Sequence, residues 1–506
     1  MNRSNIQLLD LPDEILLIIL KKLDNVDILY SLFGINNERL ANIIQHDSFS
    51  STLDIMSMTQ NSTIFDSILD RLCTDILPRI SFNVKCLNLQ LDYMERLLLV
   101  TSYPNLTKLK LLNLEFDNSL KYFTDDSPIG QILKQQITQL DLFYNKSGYL
   151  SGSSKLYTKT VYAPILSHCE KLQHLNVISP PDLTYISLSL SFLPSNTFSS
   201  STLTYLCIIV STFDDFVYLL DGRLRNLNTL IVEFRLMDTD SSITHNLNDL
   251  PNLKCFSLIH YGTFKENFNE ILSHLRRMIN LEKLTLHLSF LFETTFIDPI
   301  YLLKQLTMHI LRLTSFNFYL GIQIGNQEIL DFVQNVNRTI VYHIFTLPFQ
   351  FTRLLYVGNI FPSITFNYVI DLYLYDQVPF EHEFFLRISK AFPKLKRLCM
   401  LNSRPWSYET HISFDNVIQP YEIVEYPHLS ILTITASIFY LEQFLNETIT
   451  RLPSLTELKV FYDELRYITQ DFTRQTTRRN CANVKRLWIN KLIAGSKDYW
   501  SYFPLL

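Results

Sequence analysis

The chain has 506 residues, 47% of them apolar, with only 10 glycines but 36 phenylalanines and 27 tyrosines; such a composition can fill a packed core and excludes a disordered chain. A formal net charge of −5 without a long basic run argues against nucleic acid as the main partner. Seven cysteines, an odd number with no Cys-x-x-Cys pair, make neither a disulfide framework nor a zinc site and point to a reducing compartment.

The first predicted element is a short helix that opens at Leu11-Pro12-Asp13-Glu14-Ile15 and runs to Leu23. Pro12 suits the first helical position, where its missing N–H has no partner in any case. Asp13 and Glu14 sit at the positive end of the helix dipole, and Lys21 and Lys22 at the negative end. Ile15, Leu16, Leu17, Ile18, Ile19, Leu20 and Leu23 cover most of the circumference, so part of this surface needs burial beyond its own neighbours.

This opening, continued by Ile28, Leu29 and Leu32 as far as Ile35, resembles the F-box, a small three-helix module. Leu53-Asp54-Ile55 resembles the short strand that follows that module, and the stretch that carries a tryptophan in the family reads Ile35-Asn36-Asn37-Glu38-Arg39 here. The resemblance implies that residues 8–48 dock on a Skp-type adaptor and, through it, on a cullin-RING ligase. Leu11, Pro12, Ile15, Ile19, Leu23, Ile28 and Leu29 would be the adaptor-binding residues. The competing reading is that these helices only cap the hydrophobic end of a larger fold.

Residues 49–83 are expected to form a linking strand and helix, the latter marked by Ile64, Phe65, Ile68, Leu69, Leu72 and Ile76 at helical spacing. From residue 84 the chain repeats an apolar-x-x-apolar-x-apolar unit, often led by Pro-Asn-Leu or Cys-x-x-Leu. The triplets begin at Val84, Leu106, Ile137, Leu172, Leu203, Leu227, Leu253, Leu281, Leu313, Val369, Leu395, Leu429, Leu455 and Val484. Period-2 alternation at the end of each triplet puts two apolar side chains on one face of a short strand, and one such unit cannot bury that face alone. Between the strands lie helical patterns such as Phe264, Phe268, Ile271, Leu272 and Leu275. The spacing is similar to that of the leucine-rich repeats. The fold class expected is α/β: a leucine-rich-repeat solenoid over residues 84–506, with a curved parallel sheet and outer helices, preceded by the three-helix F-box module.

The longest interval between triplets marks an insertion near 320–365. It contains an expected helix at Glu328–Asn337 and the place of one further, degenerate repeat around Val341 and Ile344. Residues 145–155 read as an exposed loop, and the final Tyr499-Trp500-Ser501-Tyr502-Phe503-Pro504-Leu505-Leu506 as an apolar cover for the last repeat. Asn105 lies in an Asn-x-Thr triplet directly before a repeat leucine, a poor place for a glycan.

No Walker lysine loop, dinucleotide-binding glycine motif, His-Glu-x-x-His or Gly-x-Ser-x-Gly is present, so neither a catalytic role nor a cofactor is expected. His382 between Glu381 and Glu383 is a surface histidine rather than a metal ligand. The first residues lack a secretory h-region and no stretch has the length of a membrane span, which leads to the expectation of a cytoplasmic or nuclear protein. An F-box followed by leucine-rich repeats implies a non-catalytic substrate receptor of an SCF-type ubiquitin ligase, holding an unidentified target protein on the sheet. The alternative is a repeat scaffold with a degenerate F-box. Strand positions between the buried ones nominate Tyr319, Asp371, Tyr373, Tyr375, Arg397, Lys459, Phe461, Arg486 and Trp488 as target-binding residues. The cationic stretch Arg474, Arg478, Arg479, Lys485, Arg486 and Lys491 is a second candidate for an acidic or phosphorylated segment, with a solvated edge as the plainer reading.

Overall fold

A computed structural model of the chain describes residues 10–35, 37–44, 46–55, 62–114, 122, 127–144, 153–179, 186–190, 193, 198–234, 249–265, 268–292, 299–325, 339–376, 379–402, 422–435, 438–491 and 497–506. The expected helix at Glu328–Asn337 and most of the 145–155 loop lie outside them. Two units are present, Met1–Phe290 with Ile297–Phe316, and Leu291–Phe296 with Asn317–Leu506.

The first unit begins with four helices, α1 (Asp13–Leu20), α2 (Asn25–Leu32), α3 (Glu38–Ile44) and α4 (Asp47–Ser50). Pro12 stands one position earlier than expected, as the N-cap of α1, where its carbonyl accepts from the amides of Ile15 and Leu16. Asp24 caps α2 by accepting from the Val26 amide at 3.0 Å, satisfying a donor the helix start leaves orphaned. Leu16, Leu20, Ile28, Ile43 and Phe49 form the core of this bundle. Arg39 ties α3 to the start of α1: its Nε donates to Asp13 Oδ1 at 2.5 Å and its Nη2 to the Leu11 carbonyl at 2.5 Å.

Thr52–Asp54 then pairs in parallel with Cys86–Gln90 and starts the long sheet. The intervening helix Ser62–Arg71, which continues as far as Ile80, is anchored to the bundle by Arg71, whose guanidinium lies 4.7 Å over the Tyr30 ring and donates to the Phe33 carbonyl at 2.9 Å. Further parallel strands follow at Lys108–Leu114, Gln139–Tyr144, His174–Ile178, Tyr205–Val210, Thr229–Phe234, Cys255–His260 and Lys283–Phe292. Their register stacks Leu87, Leu109, Leu140, Leu175, Leu206, Leu230, Phe256 and Leu284 into one column, buried throughout. This is the continuous core that single repeats cannot build alone.

The asparagines of the repeat leads have a structural task. The side-chain amides of Asn105, Asn226, Asn252 and Asn280 donate to the carbonyls of Phe82, Ser201, Arg225 and Pro251 at 2.7, 2.6, 2.9 and 2.8 Å. Each of these carbonyls belongs to the preceding repeat, so the asparagines clamp neighbours together and Asn105 is committed to packing. The pattern expected to be one helix from Phe264 to Leu275 is split, because Phe264–Lys265 is a short strand and the helix runs over Phe268–Arg276.

In the second unit, Thr339–Phe345 runs antiparallel to Ser315–Gly325. The place expected for a degenerate repeat, around Val341 and Ile344, is therefore the return strand of a hairpin, and this reversal breaks the run of parallel repeats. The parallel ladder resumes at Arg353–Val357 and continues through Asp371–Asp376, Arg397–Asn402, Ile431–Ile434, Glu457–Val460 and Arg486–Trp488, making a six-stranded sheet. Its apolar column is Leu372, Leu398, Leu432 and Leu458, covered by residues of the helices His382–Ala391, Ile438–Leu445 and Tyr462–Ile468. Of the final residues expected to cover the last repeat, Tyr499, Tyr502 and Phe503 close the end of this core, whereas Trp500, Leu505 and Leu506 are exposed. All the triplet starts named above lead into strands, so the chain is an α/β protein with a long, largely parallel sheet and a six-stranded parallel sheet.

Candidate interaction surfaces

The bundle at the start of the chain divides the apolar residues of α1 between two faces. Leu16 and Leu20 are buried, whereas Ile15, Ile18, Ile19 and Leu23 are 43, 58, 39 and 57% exposed. Ile15, Ile18 and Ile19 recur at i, i+3, i+4 and form one stripe apart from the core stripe, while Leu23, expected as the last residue of the helix, lies past its end at Leu20, in the bend before α2. Ile35, just after α2, is also exposed. Pro12 is exposed and Leu11 is half-buried against the bundle core. Ile28 and Leu29 correct the sequence reading: both are buried, with Ile28 in the core of the bundle itself, and neither is open to a partner. Ile18 was missed, although placing Leu16 and Leu20 on one helical stripe would have put it on the other.

On the six-stranded sheet, side chains that alternate with the buried column point away from the core. One row across the strands reads Asp371, Arg397, Ile431, Glu457 and Arg486; the next reads Tyr373, Cys399, Thr433, Lys459 and Trp488. Six of the nominated residues stand in these two rows, with Tyr375 half-buried beside Tyr373 and Phe461 exposed at the strand end. Asp371 Oδ2 lies 3.4 Å from Arg353 and 3.6 Å from Arg397. Arg486 lies 3.8 Å from Glu457, whose other oxygen accepts from the Trp488 indole at 3.1 Å. Burial pushes the Cys399 thiol up to about 11, against the opposing pull of Lys459 and Arg397; both cations therefore act over the middle of the face.

Tyr319 does not belong to this surface. It is fully buried, its hydroxyl lies 2.8 Å from His343 Nδ1, and its ring meets Phe349 edge-on at 6.1 Å. The alternation that predicted it to face outward holds in the parallel repeats, but Tyr319 sits where the strand has entered the hairpin. Arg353, Cys399 and Thr433 were missed; the parallel register makes them neighbours of the nominated residues, and sequence alone does not supply that register.

The cationic stretch near the end of the chain is largely occupied. Arg474 holds Glu442 with both terminal nitrogens at 2.5 and 2.8 Å, Arg478 donates to Ser501, and Lys491 lies 2.5 Å from Asp463. His382 bridges the Glu422 carbonyl at 2.9 Å and Gln443 at 3.3 Å. Among the described residues no group of three or more His, Cys, Asp or Glu side chains could hold a metal ion, and no helix is long and apolar enough to cross a membrane. No protein-family model matches the chain, and no curated protein matches its sequence.

Proposed function

We propose that the chain is the substrate-recognition subunit of an SCF-type ubiquitin ligase: an F-box module docks on a Skp-type adaptor, and a leucine-rich-repeat solenoid holds the target protein. The observation that carries this reading is the exposed stripe Ile15, Ile18 and Ile19 on a helix whose other apolar side is already used for the bundle core, with the exposed Leu23 just past its end. A helix that merely capped the sheet would turn its larger apolar face inward. Here the excess faces out, on the segment that resembles the adaptor-binding helix of the F-box. Arg39 stands where that family carries its tryptophan and holds α3 to α1 through Asp13 and Leu11, so the bundle closes without the aromatic ring.

The activity would be one of proximity. Each aliphatic side chain fully buried in the adaptor contributes about 1.5–3 kcal/mol, and a target held on the sheet gains effective concentration near the charged conjugating enzyme without a catalytic side chain from this chain. The test is affinity capture of the tagged chain, with Ile15→Asp/Ile19→Asp as the variant. Both residues are exposed, so the fold tolerates the change. Capture of a Skp-type adaptor by the parent and its loss in the variant is the expected result; equal adaptor recovery, or none from the parent, overturns the proposal.

A further inference from the structure

The middle row of the six-stranded sheet has an uneven profile. Small Cys399 and Thr433 lie between tall Tyr373 on one side and Lys459 and Trp488 on the other. With neighbouring strands about 4.8 Å apart, the notch from Tyr373 to Lys459 is roughly 14 Å wide. Its charge runs against that of the whole chain. Among the described residues of this face Arg353, Arg397, Lys459 and Arg486 stand against Asp371 and Glu457, four cations against two carboxylates, while the chain carries −5.

These cations are not equivalent. Arg353 and Arg397 share Asp371, and Arg486 faces Glu457. Lys459 is exposed and has no ion pair or hydrogen bond among the described residues. The uncommitted ammonium at the rim of the notch matches one carboxylate, and the further cations, Arg353, Arg397 and Arg486, already face Asp371 or Glu457. The Tyr373 and Trp488 rings at the two ends give apolar contact to the residues flanking that carboxylate, in the manner of aromatic anchors at interfaces.

We infer that the notch over Cys399 and Thr433 binds an Asp or Glu side chain of the target, so that the six-stranded sheet selects an unmodified acidic segment flanked by apolar residues. This rests on the reading of that sheet face as the target-binding surface. The carboxylate sits against Lys459, with Arg397 adding a screened attraction from the strand of Cys399.

The test uses the purified full-length chain and a phage-displayed library of random peptides, selected in parallel on the parent, on Lys459→Glu and on Lys459→Arg. The parent and Lys459→Arg should enrich Asp and Glu beside an aromatic or aliphatic residue, and Lys459→Glu should lose that enrichment. The best peptide, measured by fluorescence anisotropy, should bind about tenfold more weakly to Lys459→Glu and in its Asn/Gln form. No acidic enrichment, the same enrichment on Lys459→Glu, or tighter binding of a phosphoserine form overturns the inference. Adaptor capture by the same preparations separates the two proposals: intact capture with no acidic selection sinks only this one, while acidic selection without capture sinks only the ligase reading.

Discussion

Both sheets bury a register-matched apolar column, Leu87 through Leu284 in the long sheet and Leu372, Leu398, Leu432 and Leu458 in the six-stranded one. Their outward rows differ in chemistry. On the long sheet, His174 stacks on Tyr205 at 3.8 Å and lies 3.7 Å from Asp141, which also accepts from Gln139 at 3.2 Å. Nearby, Lys110 sits 4.6 Å over the Phe143 ring and Asn88 donates to Asp54 at 3.0 Å. On the six-stranded sheet, Lys459 and Trp488 stand exposed at one side of the notch. Stacking of repeats dictates the inner positions and leaves the outer ones free to diverge, so binding chemistry is to be sought where an outer row leaves charge or aromatic surface uncommitted.

The largest effects should come from the side the sheets share. Leu142→Ala and Leu398→Ala each empty a fully buried site, and each should cost about 2–5 kcal/mol in chemical unfolding. Thr433→Ala on the outward row should stay within about 0.5 kcal/mol of the parent. A Leu398→Ala cost below 1 kcal/mol would mean that the six-stranded sheet is not held by its column, and the comparison would fail at its base.

A smaller effect separates the sheets at one strand end. Asp376 closes the inner row of Asp371–Asp376 and is almost fully buried; its Oδ2 accepts from the Tyr440 hydroxyl at 2.6 Å, and its Oδ1 has no side-chain partner among the described residues. Burial raises this carboxyl from 3.8 to about 6, with the Tyr440 hydrogen bond opposing the shift. The folded state therefore binds the proton more tightly than the unfolded one. The contribution of Asp376 to stability is greatest below pH 4, falls as pH rises to about 6, and stays low above that. Asp376→Asn keeps an acceptor for Tyr440 and removes the buried charge. It should raise stability at pH 7–8 by on the order of 2 kcal/mol and leave it unchanged near pH 3.5. Unfolding curves of parent and variant across that range check the difference; a variant less stable at pH 8 contradicts the assignment.

Much of this architecture was legible in the sequence because its signal is periodic. The triplet rule located strands as weak as Arg486–Trp488, and the clustering of Ile and Leu in α1 announced a surplus that the bundle leaves exposed. The rule lost its hold where pairing changed direction. Tyr319 obeys the outward parity of a parallel repeat but lies in an antiparallel hairpin, and hairpin register depends on partner residues distant in sequence. Ile28 and Leu29 were misread for a related reason: a bundle decides by packing which apolar residues it keeps, and α2 turns both of these inward. The notch over Cys399 was invisible because small residues become a site only beside the side chains of adjacent strands.

The smallest predicted effect bears on a device that occurs on both sheets. Asn252 donates to the Arg225 carbonyl at 2.9 Å in the long sheet, and Asn483 to the Pro453 carbonyl at 3.1 Å in the six-stranded one. Both asparagines are exposed, so water replaces much of what is lost and removal of either clamp by Ala should cost only about 0.5–1.5 kcal/mol. Aspartate is the sharper probe. It has nearly the same shape but sets a carboxylate oxygen against the carbonyl in place of a donor, so Asn252→Asp and Asn483→Asp should both destabilise more than the alanine variants near neutral pH. Protonation restores a donor, so the excess cost should shrink toward pH 3 as the new carboxyl titrates. Thermal unfolding of the four variants over that range reads both the size and the pH dependence. An aspartate no worse than alanine at one position only would show that the lead asparagine clamps one sheet and merely solvates the turn in the other.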